Sequence, residues 1–424
     1  MKNSNIKWIG DIPDNWEVHP LLCYFSERKN KNIKGVENNL LSLSYGKIIR
    51  KDINTREGLL PESFNTYNII EKDDIIIRPT DLQNDKRSLR TAIAKEHGII
   101  TSAYIALKSN NEDVNPDFFH YLLHTYDIMK VFYNMGNGVR QGLNYSEFSK
   151  LLVCVPPLAT QTSIATYLDA KCSEIDGLIA DINKQIETLN ELKKSTITEA
   201  VTKGLNKNAK LKDSGIQWIG MIPEGWSVHP LSCYFSERKK KNTRGLENNL
   251  LSLSYGKIVR KDINTREGLL PESFNTYNII EKDDIIIRPT DLQNDKRSLR
   301  TAITKEHGII TSAYIALKTE HKDIKPDFIH YLLHTYDTMK VFYNMGNGVR
   351  QGLNFSEFSK LLIVIPPLTE QQSITAYLDT KCTEFDSIIS DKQKQISTLE
   401  AYKKSLIYEY VTGKYAGADL CVRP

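Results

Sequence analysis

Two short stretches hold the side chains best suited to gripping a charged, hydrogen-bonding ligand. The first runs Pro79-Thr80-Asp81-Leu82-Gln83-Asn84-Asp85-Lys86-Arg87-Ser88-Leu89-Arg90, with Arg78 immediately before it. Arg, Lys, Gln and Asn carry the paired donors and acceptors that match guanine and adenine edges in the major groove of DNA. An ordinary polar surface loop is the competing reading. The second stretch is Gly136-Asn137-Gly138-Val139-Arg140-Gln141-Gly142-Leu143-Asn144. Its three glycines let a backbone approach a ligand closely, although a tight turn uses glycine in the same way. The candidate contact residues are Arg78, Gln83, Asn84, Lys86, Arg87, Arg90, Arg140, Gln141 and Asn144.

Other chemistry fits less well. No GxxxxGK[ST] loop is present to cradle a nucleotide. His120 and His124 lie four apart on one helix face, as do His330 and His334, but the metalloprotease acid between them is missing, so core or surface histidines are expected. Pro13-Asp14 followed by Glu27-Arg28-Lys29 fits a loose PD…ExK nuclease pattern, in which two acids hold Mg²⁺ and a lysine assists water. That pattern is short and frequent by chance, and its first acid sits in a Trp-Pro turn. Val155-Pro156-Pro157-Leu158 lacks the Asn or Asp and the aromatic of amino-methyltransferase sites and reads as a strand-to-helix stop.

The elements that must position these residues follow from periodicity. Leu40 to Tyr45 alternates like a strand, and Asp74 to Arg78 is a β-branched run that reads as a buried strand delivering Arg78 to its end. Ile99 to Leu107 and Leu151 to Val155 read as further strands. Asn115-Pro116 predicts the start of a helix continuing to about Met135, with Phe118, Leu122, Tyr126, Met129 and Phe132 inward. Trp8 to Trp16 reads as a turn-rich clasp at the domain edge. Arg28, Lys29, Lys31 and Lys34 form a basic run that suits either solvent or phosphate.

After Pro156-Pro157, apolar residues recur at steps of four and three: Leu168, Cys172, Ile175, Ile179, Ile182, Ile186 and Leu189. This heptad seam predicts one long helix over Leu158–Lys203, closed by Gly204 and roughly 65 Å long at 1.5 Å per residue. A seam needs a partner. Leu378, Cys382, Phe385, Ile389, Ile396 and Leu399 repeat it, with Lys392 as a polar intrusion. The totals add little. Net charge is +4, no apolar run reaches membrane-spanning length, and Met1 to Lys7 is too polar for a signal peptide, so a soluble cytoplasmic chain is expected. The six cysteines include no CxxC pair, and Cys23, Cys154, Cys172, Cys233 and Cys382 read as buried reduced thiols.

The chain is written twice. Trp8 recurs as Trp218, Tyr45 as Tyr255, Arg140 as Arg350 and Pro156 as Pro366, always 210 positions on. Between Ser44 and Ile93 only Ile49 differs from its partner, Val259, whereas the long helices differ far more. Two heads held so alike answer to the same ligand, although local gene conversion would leave the same trace. The second set of candidates is therefore Arg288, Gln293, Asn294, Lys296, Arg297, Arg300, Arg350, Gln351 and Asn354. Because the second head follows the first long helix, the second helix must run back to pack on it. The pair is then antiparallel, with the heads at its two ends and an approximate two-fold between them; a linker that spans part of that distance would allow a parallel pair, the less favoured arrangement. The boundaries expected are 1–155 and 217–365 for the heads, 156–203 and 366–412 for the helices, 204–216 for a linker and 413–424 for a tail.

Trp8–Trp16 (WIGDIPDNW), Gly136–Asn144 (GNGVRQGLN), Val155–Leu168 (VPPLATQTSIATYL) and Ala200–Gly220, with their copies, resemble the specificity subunit of Type I restriction–modification enzymes. One departure is Ala159-Thr160-Gln161, where the family usually has Glu before Gln; Thr369-Glu370-Gln371 keeps it, and little functional consequence is expected. The resemblance implies an α+β chain of two tandem α/β target-recognition domains joined by two long antiparallel helices. It implies a non-catalytic reader of double-stranded DNA that docks two modification subunits, with restriction subunits able to join. It implies no cofactor on this chain: S-adenosylmethionine, ATP and Mg²⁺ belong to the partner subunits. Twin heads sharpen this to an interrupted palindrome, with half-site centres about one helical turn, ~34 Å, apart. A stand-alone Mg²⁺ nuclease using Glu27 and Lys29, or a protein-interaction scaffold built on the rod, are the alternatives.

Overall fold

The computed structural model describes residues 1–54, 61, 63–80, 82, 89–135, 142–264, 273–290, 299–343, 345 and 352–414. The chain divides into two compact units: residues 1–182 with 393–424, and residues 183–392. Each long helix therefore contributes one half to each unit.

In the first unit, β1 (Lys2–Asn3) pairs with β2 (Asp11–Ile12), and β3 (Glu17–Pro20) with β12 (Leu152–Val155). The remaining strands are β4 (Phe25–Glu27), β5 (Leu41–Ser44), β6 (Lys47–Arg50), β7 (Asn68–Ile70), β8 (Ile75–Ile77), β9 (Thr91–Ile93), β10 (Gly98–Ile100) and β11 (Ile105–Ser109). The central sheet is antiparallel in the order β4-β11-β8-β9. β5–β6 is a hairpin, and β7 pairs with β10. Successive strand residues point to opposite faces. Ile75 and Ile77 therefore join the core containing Phe118 and Leu122, while Ile76 joins Leu41, Leu43, Ile70 and Ile100 on the other face. Covering on both faces explains why this strand is an unbroken isoleucine run.

Helix α1 (Pro116–Ile128) starts at Asn115, whose side chain accepts from the Phe118 N–H. It is shorter than its apolar pattern predicts. Lys130 takes a left-handed φ of 59°, and a 3-10 turn over Val131–Asn134 follows. Phe118, Leu122, Tyr126 and Phe132 are buried as expected, but Met129, at the break, is 46% exposed. The expected strand Ile99–Leu107 is likewise two strands, divided by a turn in which the Tyr104 N–H donates to the Thr101 carbonyl. Trp8 meets Tyr126 edge to face at 4.7 Å and Trp16 packs on Phe118, so the Trp-rich stretch closes over α1. Cys154 and Cys172 are buried, whereas Cys23 and Cys233 are exposed, contrary to the sequence reading, because each ends a short 3-10 turn on the surface.

Short helix α2 (Tyr145–Phe148) leads through β12 to α3 (Leu158–Lys203). Gln161, buried in the first turn of α3, ties helix to head. Its amide donates to the Pro156 and Asp113 carbonyls at 3.0 and 3.2 Å and its oxygen accepts from Asn115 N at 2.9 Å. In the same unit the C-terminal part of α6 (Leu368–Val411) lies along α3. Tyr167 stacks on Tyr410 at 4.6 Å and Asp176 pairs with Lys403 at 2.7 Å. As one number rises the other falls, so the halves run antiparallel.

The second unit repeats the design 210 residues on, with α4 (Pro326–Thr338), α5 (Phe355–Phe358) and a central sheet of the same order. Its helix halves are antiparallel too: Lys193 pairs with Asp386 at 2.7 Å, and Lys392, the polar intrusion in the seam, donates to Gln185. The Glu370 carboxylate, where the first copy has Thr160, accepts from Trp226 Nε1 at 2.9 Å. It stands beside Gly204 where α3 ends. The left-handed φ of 73° at Gly204 favours glycine there, and a Cβ would meet the Glu370 carboxylate at 2.7 Å, which would have to shift.

Candidate nucleic-acid interface

The described ends of the two polar stretches meet in the fold. The first connects β8 to β9, and its base is closed where the Arg78 N–H donates to the Arg90 carbonyl at 2.9 Å. The second connects α1 to α2. Leu143 N donates to the Pro79 carbonyl at 3.0 Å, which rivets the two bases together. Leu82 is buried and pins the first stretch into the main core. The second unit repeats the rivet, Leu353 to Pro289 at 3.0 Å.

The described candidates differ in setting. Arg78 is half-buried at the end of β8, and Arg288 matches it. Asn144 and Asn354 are exposed, but their side-chain Oδ1 atoms cap α2 and α5 by accepting from Glu147 N and Glu357 N at 3.0 Å. Arg90 and Arg300 do not lie at the surface as their place in a polar run predicts. Both are fully buried and face inward, so direct contact with DNA is closed to them. The Arg90 backbone N–H donates to Asp127 at 2.5 Å and its Nε to the Tyr133 hydroxyl at 3.0 Å. Gln83, Asn84, Lys86, Arg87, Arg140 and Gln141, with Gln293, Asn294, Lys296, Arg297, Arg350 and Gln351, lie outside the described residues.

The basic run is also only partly a surface. Arg28 grips buried Asp74 in a bidentate pair, 2.5 and 3.0 Å, with its side chain 21% exposed. Lys29 is exposed and pairs with Glu27 at 2.8 Å. Asp14, the other acid of the loose nuclease pattern, pairs with the chain's amino terminus at 3.0 Å. Among the described residues no cluster of three or more His, Cys, Asp or Glu could hold a metal.

Sequence reasoning missed a cavity of about 700 Å³ in the first unit, where head meets helix pair; its charged lining is mixed, with Lys130, Lys403 and Lys404 beside Asp176 and Glu400. No periodicity could show it, because its lysines come from two segments far apart in the chain.

The histidine pairs are half-buried, and in the first unit they line a cavity. His120 and His124 stand in the first unit, and burial pushes them down to about 3 and about 4; His330 and His334 are pushed down to about 4 for the same reason. A neutral imidazole in the fold and a free one in the unfolded chain give a definite sign. Their contribution to stability is full above the unfolded value near 6.5 and is lost as pH falls toward 4. Asp337, lifted by burial to about 6, works the other way, as do the raised Asp74, Asp127, Asp284, His97 and His307. The histidine contribution is therefore read by difference: His120→Asn with His330→Asn should gain melting temperature relative to wild type as pH falls from 7.5 to 5 in a calorimetric series.

Two α+β heads, each presenting a riveted pair of polar stretches and each carried on half of a long antiparallel helix pair, define a duplicated recognition module. The family model of the Type I restriction modification DNA specificity domain matches residues 28–188 and again 240–398. The chain belongs to that family: it is a Type I restriction enzyme specificity subunit with two DNA specificity domains. It is 25% identical to the putative type I restriction enzyme MjaX specificity subunit of Methanocaldococcus jannaschii, over 97% of each chain. The MjaVIII specificity subunit of that organism is also 25% identical, over 95% of this chain and 93% of the relative. In fold it resembles a chain solved in work on assembly and conformational transition of the type I R-M system, with TM-score 0.69, 13% identity and 95% and 98% of the two chains covered. The HsdS subunit of Thermoanaerobacter tengcongensis aligns at TM-score 0.50, 14% identity and the same coverage. Among the described residues no helix is long and apolar enough to cross a membrane.

Proposed function

We propose that this specificity subunit reads one short duplex half-site twice, in inverted orientation, and so directs its partners to an interrupted palindrome. The observation that carries the reading is duplication without drift at the loop roots. Arg78, Pro79 and Leu143 recur as Arg288, Pro289 and Leu353 with the same backbone bonds. The antiparallel pairing of helix halves within each unit supports the inversion. The base contacts are assigned to Arg78, Gln83, Asn84, Lys86, Arg87, Arg140, Gln141 and Asn144 and to their copies. The chain itself is non-catalytic and cofactor-free; methyl transfer, ATP use and Mg²⁺ chemistry belong to two modification subunits and, where they join, restriction subunits.

The helices offer docking positions for those partners. Leu178 and Ile388 are exposed at equivalent places, as are Leu192 and Tyr402, although the seam residues beside them turn inward. Exposed apolar residues in register on two helices suit a helical partner. The test is a binding series on the assembled complex with duplexes of varied sequence and salt. Sequence-selective affinity that weakens steeply with salt supports the reading. Salt-insensitive or sequence-blind binding refutes it.

A further inference from the structure

The buried arginine of each head has a role beyond packing. We propose that Arg90 is a positioning residue for half-site reading: its guanidinium locks the roots of both recognition stretches to one another, and Arg300 does the same in the second unit. The inference rests on the reading of this chain as a two-headed DNA reader.

The geometry is specific. Arg90 NH1 donates to the Thr80 carbonyl and, at 3.4 Å, to the Arg78 carbonyl, so one nitrogen holds the chain as it enters the first stretch. Nε reaches Tyr133, which stands just before the second stretch. The Tyr133 hydroxyl also donates to Asp127 at 3.1 Å, and Asp127 accepts the Arg90 backbone N–H. Lys130 closes the group, its ammonium 4.2 Å from the centre of the Tyr133 ring. The left-handed turn at Lys130, which ends α1 early, folds Val131–Asn134 back toward Arg90. Every link recurs in Arg300, Thr290, Arg288, Tyr343, Asp337 and Lys340.

Packing alone does not call for this arrangement. Burying a guanidinium is unfavourable unless its donors are matched, and an apolar side chain of similar volume often serves stability as well. Arginine is distinguished by a planar fork whose donors have fixed mutual directions, which an ammonium lacks. Such a fork can hold a carbonyl on one segment and a hydroxyl on another in one plane. Recognition groups must be held within about 0.5 Å of their working geometry, so loosening the roots degrades reading before it degrades folding.

The experiment uses the full chain assembled with its modification subunits. Duplexes carry the intact target, one altered half-site or two altered half-sites. A complex with one relaxed head can place it on the altered half-site, since both half-sites are alike. Arg90→Lys should therefore cut the affinity penalty for altering one half-site by about tenfold. The penalty for altering both should fall by the same factor, because one strict head still meets an altered half-site, and the salt dependence on unrelated DNA should stay near wild type. Arg300→Lys should mirror this, and the double variant should cut the penalty for two altered half-sites by about a hundredfold. Tyr133→Phe, which removes one hydroxyl and keeps the ring, should shift the one-half-site penalty in the same direction to a smaller degree. A lowered melting temperature with unchanged penalties in both single variants would overturn the positioning role. A wild-type complex without any penalty would overturn the DNA-reading assignment, and this inference with it.

Discussion

Arg78→Ala combined with Arg288→Ala should relax one base position in both half-sites, whereas either change alone should relax it in one half-site only. Both arginines end a buried strand whose neighbours are fixed by the sheet, so their backbones are held and only the heads of the side chains can adapt. Loss of one bidentate arginine contact typically costs about 1–3 kcal/mol and relaxes one base position. The doubly altered chain should show the sum of two such losses, measured as affinity of the assembled complex for its target. In the single variant the relaxed position should appear in only one half-site of each bound duplex. Equal losses in single and double variants would mean that the heads do not read independently.

The second large effect concerns folding. Asp74→Ala should be among the most damaging changes outside the aromatic core. Its carboxylate is buried, accepts from Arg28 Nη2 at 3.0 Å and from the Glu71 N–H at 2.8 Å, and lies 2.5 Å from Arg28 Nε in the ion pair. Burial pushes this carboxyl up and the guanidinium pulls it back, with the net shift upward. Removing it strands the Arg28 charge, and a stranded buried charge costs about 3–5 kcal/mol, reduced here to roughly 2–4 because Arg28 keeps some access to water. The first unit should lose stability by that amount in a denaturant titration. Arg28→Met with Asp74→Leu should recover much of it, because no charge is then left alone. Asp284→Ala should behave in the same way in the second unit, where Arg238 makes the equivalent pair.

Much of this was legible from residue order. Heptad spacing placed α3 over Leu158–Lys203, and the isoleucine run after Asp74 marked a buried strand, because both depend on side chains within a few positions of each other. The early end of α1 was not legible. Apolar spacing continues through Phe132, but Lys130 turns left-handed there, and the residues that draw the chain back, Arg90 and Tyr133, are 43 positions apart. The burial of Arg90 was misread for the same reason. In a polar run an arginine looks like surface, and only the fold brings Asp127 and Tyr133 to it. Arg28 resembled part of a phosphate-binding run until Asp74, 46 positions away, was seen beneath it. Spacing marks amphipathic faces well; it carries no trace of a buried polar partner supplied by another element.

The central claim is that twin heads read the same bases on opposite strands. The modified motif itself tests it most directly: base-resolution methylation sequencing of DNA from a strain whose only specificity subunit is this chain. The account predicts a single two-part motif whose halves are inverted copies of each other, methylated on both strands. Two unrelated halves, or direct repeats, would contradict it.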